Sequence, residues 1–311
     1  MTAMWVAASV RSRAMVQRRV GSAGARELAA RSTLEAAIDA LATSPYGHDV
    51  RSGQTLAQAQ HAVVATTLWH TRVLAGWLPR GDARILRVLA GGFEVANVDE
   101  RLREIGGGAP EPAFRLGGLA TSWTMLSAAA SAAEMRQLLS RSAWGDPGSD
   151  TADGVRLGMR LSWAARVSAN VPRARSWAAG AAALMVAREH LLDRSRIAES
   201  AALIATPLLG TRWQAASTLR GFADLVPTDA QWPFAQIDDP GDLWRAETAW
   251  WTRVAADGFA LLRQPLTSSD PVIGAVAVLA ADAWLVRGAL EIAARGGAST
   301  AHEMEAFDAV A

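Results

Sequence analysis

The sequence contains no cysteine and no lysine. Without thiols it has no disulfide framework, thiolate zinc site, iron–sulfur cluster or cysteine nucleophile, a pattern that fits a cytosolic location without requiring one. Without lysine no Gly-Lys-Ser/Thr follows Gly106-Gly107-Gly108, so that glycine run is not a nucleotide-binding P-loop. No Gly-x-Ser-x-Gly elbow is present for a serine triad. The basic residues are all arginine, and 31 of them against 30 acidic residues leave a net charge of +1. Such a balance sets up no global field to recruit nucleic acid or an anionic membrane. Alanine, glycine and tryptophan are plentiful, and lysine-free composition of this kind reads as the codon bias of a GC-rich genome.

Long apolar runs are also missing. The longest, Ser176 to Ala187 and Pro271 to Ala281, stop at Arg188 and Asp282, so both are expected to be buried helices of a soluble protein. Trp5 to Val10 is too soon interrupted by Arg11 and Arg13 for the apolar core of a secretory signal, and the mature chain is expected to begin where the sequence begins.

One tyrosine and six phenylalanines leave little of the alternation that marks strands, whereas helix formers dominate throughout. The fold class expected is all-α. Leu34, Ala37, Ile38 and Leu41 form a helical stripe within 33–43, with Ser32 as its N-cap and Glu35 at the third helical position. Further helices are expected over 56–77, 82–89, 95–105, 120–127, 130–140, 154–168, 173–191, 196–204, 211–225, 240–262, 271–294 and 301–309, separated by Gly and Pro breakers.

A local repeat is visible. Leu41-Ala42-Thr43-Ser44-Pro45-Tyr46-Gly47 matches Leu139-Ser140-Arg141-Ser142-Ala143-Trp144-Gly145 at an offset of 98 residues (139 − 41), and Leu225 to Phe234 is a weaker, gapped third copy. The expected geometry is a helix end with the aromatic tucked over the last turn and glycine at positive φ. Three divergent units follow, at about 5–110, 118–205 and 206–298, with a tail at 299–311, inside one structural unit spanning 1–311.

Five segments then fall into a known order. Trp5 to Arg13 opens with an aromatic, small residues and the pair Val10-Arg11; Ser44 to Gly47 ends a helix. Glu94 and Asn97 precede a glycine-rich break, and Trp144-Gly145 repeats the earlier ending. Asp270-Pro271 leads to Trp284-Leu285-Val286-Arg287 and Gly296-Gly297. Together they resemble the C/d family of the V/A-type rotary ATPases, the funnel-shaped proteins at the foot of the central stalk in the archaeal, bacterial and eukaryotic vacuolar enzymes. Three departures mark a distant member: Ser9 for arginine, Val98 for leucine, and Trp284 near a usually acidic position.

The resemblance implies three helical repeats arranged as a funnel with pseudo-threefold symmetry. It implies a non-catalytic central-stalk protein that couples the rotor shaft to the membrane proteolipid ring, on the cytoplasmic face, with no cofactor, nucleic acid or small-molecule substrate. The residues it marks, all structural, are Trp5, Val10, Arg11, Tyr46, Gly47, Glu94, Asn97, Trp144, Gly145, Pro271, Trp284 and Arg287. None is marked as catalytic, cofactor-binding or metal-binding.

Two rival classes remain open. Asp238-Asp239-Pro240-Gly241-Asp242 is similar to the Asp-Asp-x-x-Asp magnesium motif of all-helical prenyl-diphosphate enzymes. Pro240, however, biases Asp239 away from helix and toward the role of N-cap, and no second acidic motif follows. The other rival is a stand-alone helical adaptor. Arg11 and Arg18 are seven residues apart, line one face of the opening helix, and form a face for an acidic partner or simply for solvent. Of the five histidines, His61 and His70 share a helix but stand about 13 Å apart by helical rise, too far for one metal, and His48, His190 and His302 show no ligand spacing.

Overall fold

The computed structural model describes residues 2–79 and 81–297. In chain order its α-helices are α1 (Thr2–Gln17), α2 (Gly21–Ala29), α3 (Leu34–Ala42), α4 (Leu56–Trp77), α5 (Arg84–Leu89), α6 (Gly91–Ile105), α7 (Trp123–Leu126) and α8 (Ala132–Ser140). They continue as α9 (Ala152–Asn170), α10 (Arg175–Ala187), α11 (Glu199–Leu209), α12 (Leu219–Leu225), α13 (Thr228–Gln231), α14 (Leu243–Leu262) and α15 (Asp270–Ala294). Short 3-10 turns join several of them. Among the described residues there is no strand, so the chain is all-α.

Helix ends follow local chemistry. Thr55 caps α4 through a reciprocal pair with Gln58, two donors of the first turn being satisfied at once. α3 begins one residue later than expected. Thr33, not Ser32, is the cap: its backbone is extended, and its hydroxyl accepts from the Ala36 amide, which leaves Glu35 at the second helical position. The stretch 211–225 is not one helix but a 3-10 turn and then α12, because Thr218 caps a fresh start through the Gly221 amide. α11 runs on to Leu209, past the expected stop at 204, with Pro207 inside it. α2 was not anticipated at all, since Gly21, Ser22 and Gly24 are poor helix formers. The helix expected at 301–309 lies outside the described residues.

The chain packs into two compact units. One combines Met1–Ala83 with Trp251–Ala311, and the other is Arg84–Trp250. These units are defined by packing, whereas the repeats at 5–110, 118–205 and 206–298 were defined by self-similarity. Each partition describes a different property.

In the first unit α15 packs against α1, α2, α3 and α4. It is long and apolar enough to cross a membrane by length and composition, but 72% of its apolar window is buried. Ile38, Leu41 and Val63 close on Val286 and Leu290 of α15. Each such burial is worth about 1.5–3 kcal/mol before entropy is counted. In the second unit Val98 and Leu102 of α6 meet Met135 and Leu139 of α8, with Val155 and Met159 of α9. The two cores differ in residues but share a plan: a capped short helix, a turn carrying a buried aromatic, then a long capped helix.

Candidate functional site

The Ser-x-aromatic-Gly turns are where polar chemistry enters the cores. Ser44 donates its hydroxyl to the Leu41 carbonyl at 2.6 Å and accepts from the Tyr46 amide at 3.2 Å, turning the chain as α3 ends. Tyr46 is thereby directed inward rather than back over its own helix. Its hydroxyl donates to Asp282 Oδ2 on α15 at 2.9 Å. The same carboxylate accepts two consecutive backbone amides, Val20 at 3.3 Å and Gly21 at 2.6 Å. Burial pushes the Asp282 pKa up, against the opposing effect of these donors, and burial beside that carboxylate pushes the Tyr46 phenol well above 10. Tyr46 therefore stays a donor at any physiological pH.

The second unit repeats the arrangement with different residues. Ser142 donates to Leu139 at 2.7 Å and accepts from the Trp144 amide at 3.0 Å. The Trp144 indole donates to Glu94 Oε1 on α6 at 2.7 Å. Glu94 also accepts two consecutive backbone amides, Thr121 at 2.6 Å and Ser122 at 2.8 Å. Even the following long helix matches: Thr66 donates to the Tyr46 carbonyl at 3.4 Å, and Ser162 donates to the Trp144 carbonyl at 2.5 Å. Buried carboxylates that each collect three donors are satisfied rather than reactive groups.

The gapped third run is different. Trp232 gives its indole proton to the Asp229 and Ser176 carbonyls, at 3.0 and 3.4 Å, and its ring rests on Gly180 of α10. Carbonyl oxygens here take the place of the carboxylate.

The two motif glycines are required for different reasons. Gly145 adopts φ +82°, as expected. Gly47 does not take a positive φ. It is needed because a Cβ there would overlap the carbonyl oxygen of Ala42.

Other motif residues are spread over the chain. Asn97 is buried and pairs both ways with the Phe114 backbone, donating to its carbonyl at 3.0 Å and accepting from its amide at 2.6 Å. Pro271 is buried in the first turn of α15. Trp284 is half-buried and stacks on Trp251 at 5.8 Å between centroids, while Arg287 is exposed. On α1, Trp5 is half-buried and Val10 is 53% exposed. The residue that sequence reading missed is Asp282. Its signal was present, as the lone acid within 271–290, but it was read only as the end of an apolar run.

The acidic run does not converge. Asp238 pairs with Arg220 at 2.5 Å, Asp239 caps the next turn through the Gly241 amide, as its position before Pro240 predicted, and Asp242 lies 3.9 Å from Arg245. A cleft of about 310 Å³ near them is lined by Trp232, Phe234, Ile237 and Arg220, and of the three aspartates only Asp238 lines it. Among the described residues no three His, Asp or Glu side chains are grouped to hold a metal.

Arg11 and Arg18 face α4. Both act electrostatically on His70, whose pKa is lowered to about 4, chiefly by burial. His48 hydrogen-bonds Asp49 at 2.8 Å and stacks on Trp69 at 4.2 Å. His190 contacts the Ala216 carbonyl at 2.9 Å, and His302 lies outside the described residues. In comparison with known proteins, no family model matches the chain and no curated protein matches it.

Proposed function

We propose that this chain is a distant, non-catalytic member of the C/d family of V/A-type rotary ATPases, a central-stalk protein joining the rotor shaft to the membrane proteolipid ring. One observation carries the reading. The aromatic residues that supplied the sequence resemblance, Tyr46 and Trp144, occupy equivalent chemical settings, each bound to a buried carboxylate that also gathers two consecutive backbone amides. Capping residues keep the same spacing: Thr33 and Ser131, like Ser44 and Ser142, are 98 residues apart (142 − 44), and Thr66 and Ser162 are 96 apart (162 − 66).

A duplicated unit of this kind supports the finer reading of three repeats about a pseudo-threefold axis forming a funnel, with the Trp232 segment as the degenerate third copy. A torque-transmitting element has to be stiff, and alanine-lined helix contacts such as those of α10, with Ala178, Ala179, Ala182 and Ala183 buried, give a dense interior of low compressibility. The divergence of Asp238, Asp239 and Asp242 toward separate partners favours this reading over magnesium-dependent prenyl-diphosphate chemistry.

The test is purification of the tagged protein from its native membranes in mild detergent, followed by mass spectrometry. Recovery of shaft, catalytic-head and proteolipid components is the expected result. A monomer free of all three overturns the proposal.

A further inference from the structure

Four arginines lie on or just beyond α1, and they fall into two classes. Arg13 is committed, donating from Nε to the Leu262 carbonyl at 2.9 Å and from Nη2 to the Gln264 carbonyl at 3.1 Å. Arg19 is committed too, donating to the Val16 carbonyl at 3.1 Å and lying 4.7 Å over the Phe259 ring. Arg11 and Arg18 have no hydrogen-bond or ion-pair partner among the described residues. Spaced two helical turns apart, they point the same way. Opposite them on α4 lies His70, 8% exposed.

Two buried nitrogens in this cluster lack partners: Arg11 Nε and His70 Nδ1. A buried N–H without an acceptor costs about 1–3 kcal/mol, so two together mark a place built to receive an acceptor. The chain does not supply it. Asp49 is the one acid acting on His70, and its carboxylate already accepts from His48 Nδ1 at 2.8 Å and Thr66 Oγ1 at 2.9 Å. His48 is in turn occupied by that contact and by stacking on Trp69.

We propose that Arg11, Arg18 and His70 form a binding site for a phosphate group. Two guanidinium groups match the charge of a phosphate dianion, and two guanidiniums with one imidazole N–H serve three peripheral oxygens, where a carboxylate offers two. The half-buried Arg11 and the buried His70 hold their donors in place, and the exposed Arg18 admits the ligand. The phosphate is either free in solution or carried on a lipid headgroup, the shared chemistry being the monoester-type dianion. The site is independent of any role in a rotary stalk.

The test uses the full chain and the imidazole NMR signal of His70, assigned by loss in His70→Gln. At pH 7 and constant ionic strength, inorganic phosphate is expected to shift that signal saturably, and acetate is not. Arg11→Gln and Arg18→Gln are each expected to weaken phosphate at least tenfold, whereas Arg13→Gln, whose partners are carbonyls, leaves it within twofold. Unmoved His190 signals establish that each variant is folded. A parallel sedimentation assay compares phosphatidic-acid vesicles with phosphatidylcholine vesicles. Saturation by free phosphate supports a soluble source. Arg11- and Arg18-dependent sedimentation with phosphatidic acid alone supports a headgroup. Linear shifts equal for phosphate and acetate, together with no vesicle binding, overturn the proposal and leave a solvated arginine face.

Discussion

Tyr46 and Asp282 are 236 residues apart in the chain and 2.9 Å apart in the fold, so the last described helix is locked to the turn that ends the third. Removing the phenol in Tyr46→Phe leaves the buried carboxylate with backbone donors alone. The expected loss is about 1–3 kcal/mol in urea unfolding, the range for a buried acceptor deprived of a partner. Combined with Asp282→Asn the two losses should fall short of additive by more than about 0.5 kcal/mol, since both act on one contact. Strict additivity contradicts the link.

Glu94 has the same duty in the second unit. Glu94→Gln removes the charge and turns an amide N–H₂ toward three donors, leaving one oxygen for the Thr121, Ser122 and Trp144 protons. A destabilisation of about 3 kcal/mol is expected, with hydrogen exchange at the Thr121 and Ser122 amides accelerated ahead of the α9 core. Unchanged exchange at those two amides counts against the assignment.

These two contacts also show how much was legible. The turn was readable because Ser, an aromatic and Gly recur with fixed spacing, and each residue acts locally: the serine bonds its own helix end. The aromatic's destination was not readable. Asp282 and Glu94 lie on opposite sides of their motifs in sequence, one far after and one before, and period counting along the chain cannot pair residues that a fold brings together from its two ends. α2 was missed for a related reason: its small residues carry little propensity, and its place is set by packing on α15, where Ala25 and Leu28 are buried. The arginine face was legible as a spacing, but its buried partner His70 was visible only once α1 and α4 were seen to pack.

His70 makes stability depend on pH in a predictable direction. Its folded pKa is about 4, against about 6.5 when unfolded, so the unfolded chain binds the extra proton between those values. Stability from the neutral imidazole is fully present above about pH 6.5 and is lost as pH falls toward 4. The difference in unfolding free energy between wild type and His70→Gln should therefore change by about 3 kcal/mol over that window and stay flat above it. The measurement is a series of urea curves from pH 4.5 to 8. A difference that is constant throughout removes His70 as the titrating group.

Gly47 and Gly145 occupy the same motif position yet should respond oppositely to asparagine. At Gly145 a Cβ meets nothing within 4 Å, and the sole obstacle is φ +82°, a region that asparagine tolerates better than other residues with side chains. Gly145→Asn should cost about 1 kcal/mol or less. At Gly47 the backbone is ordinary and the space is missing, because the added carbon would press on the Ala42 carbonyl, which is fixed backbone rather than a side chain that can rotate away. Gly47→Asn and Gly47→Ala should then be equally harmful, by about 2 kcal/mol or more, since the first added carbon does the damage. Thermal unfolding of the three variants separates the two causes. If asparagine were tolerated at both positions, the turn at Gly47 would have to relax without disturbing Tyr46, and the rigidity of that turn would be disproved.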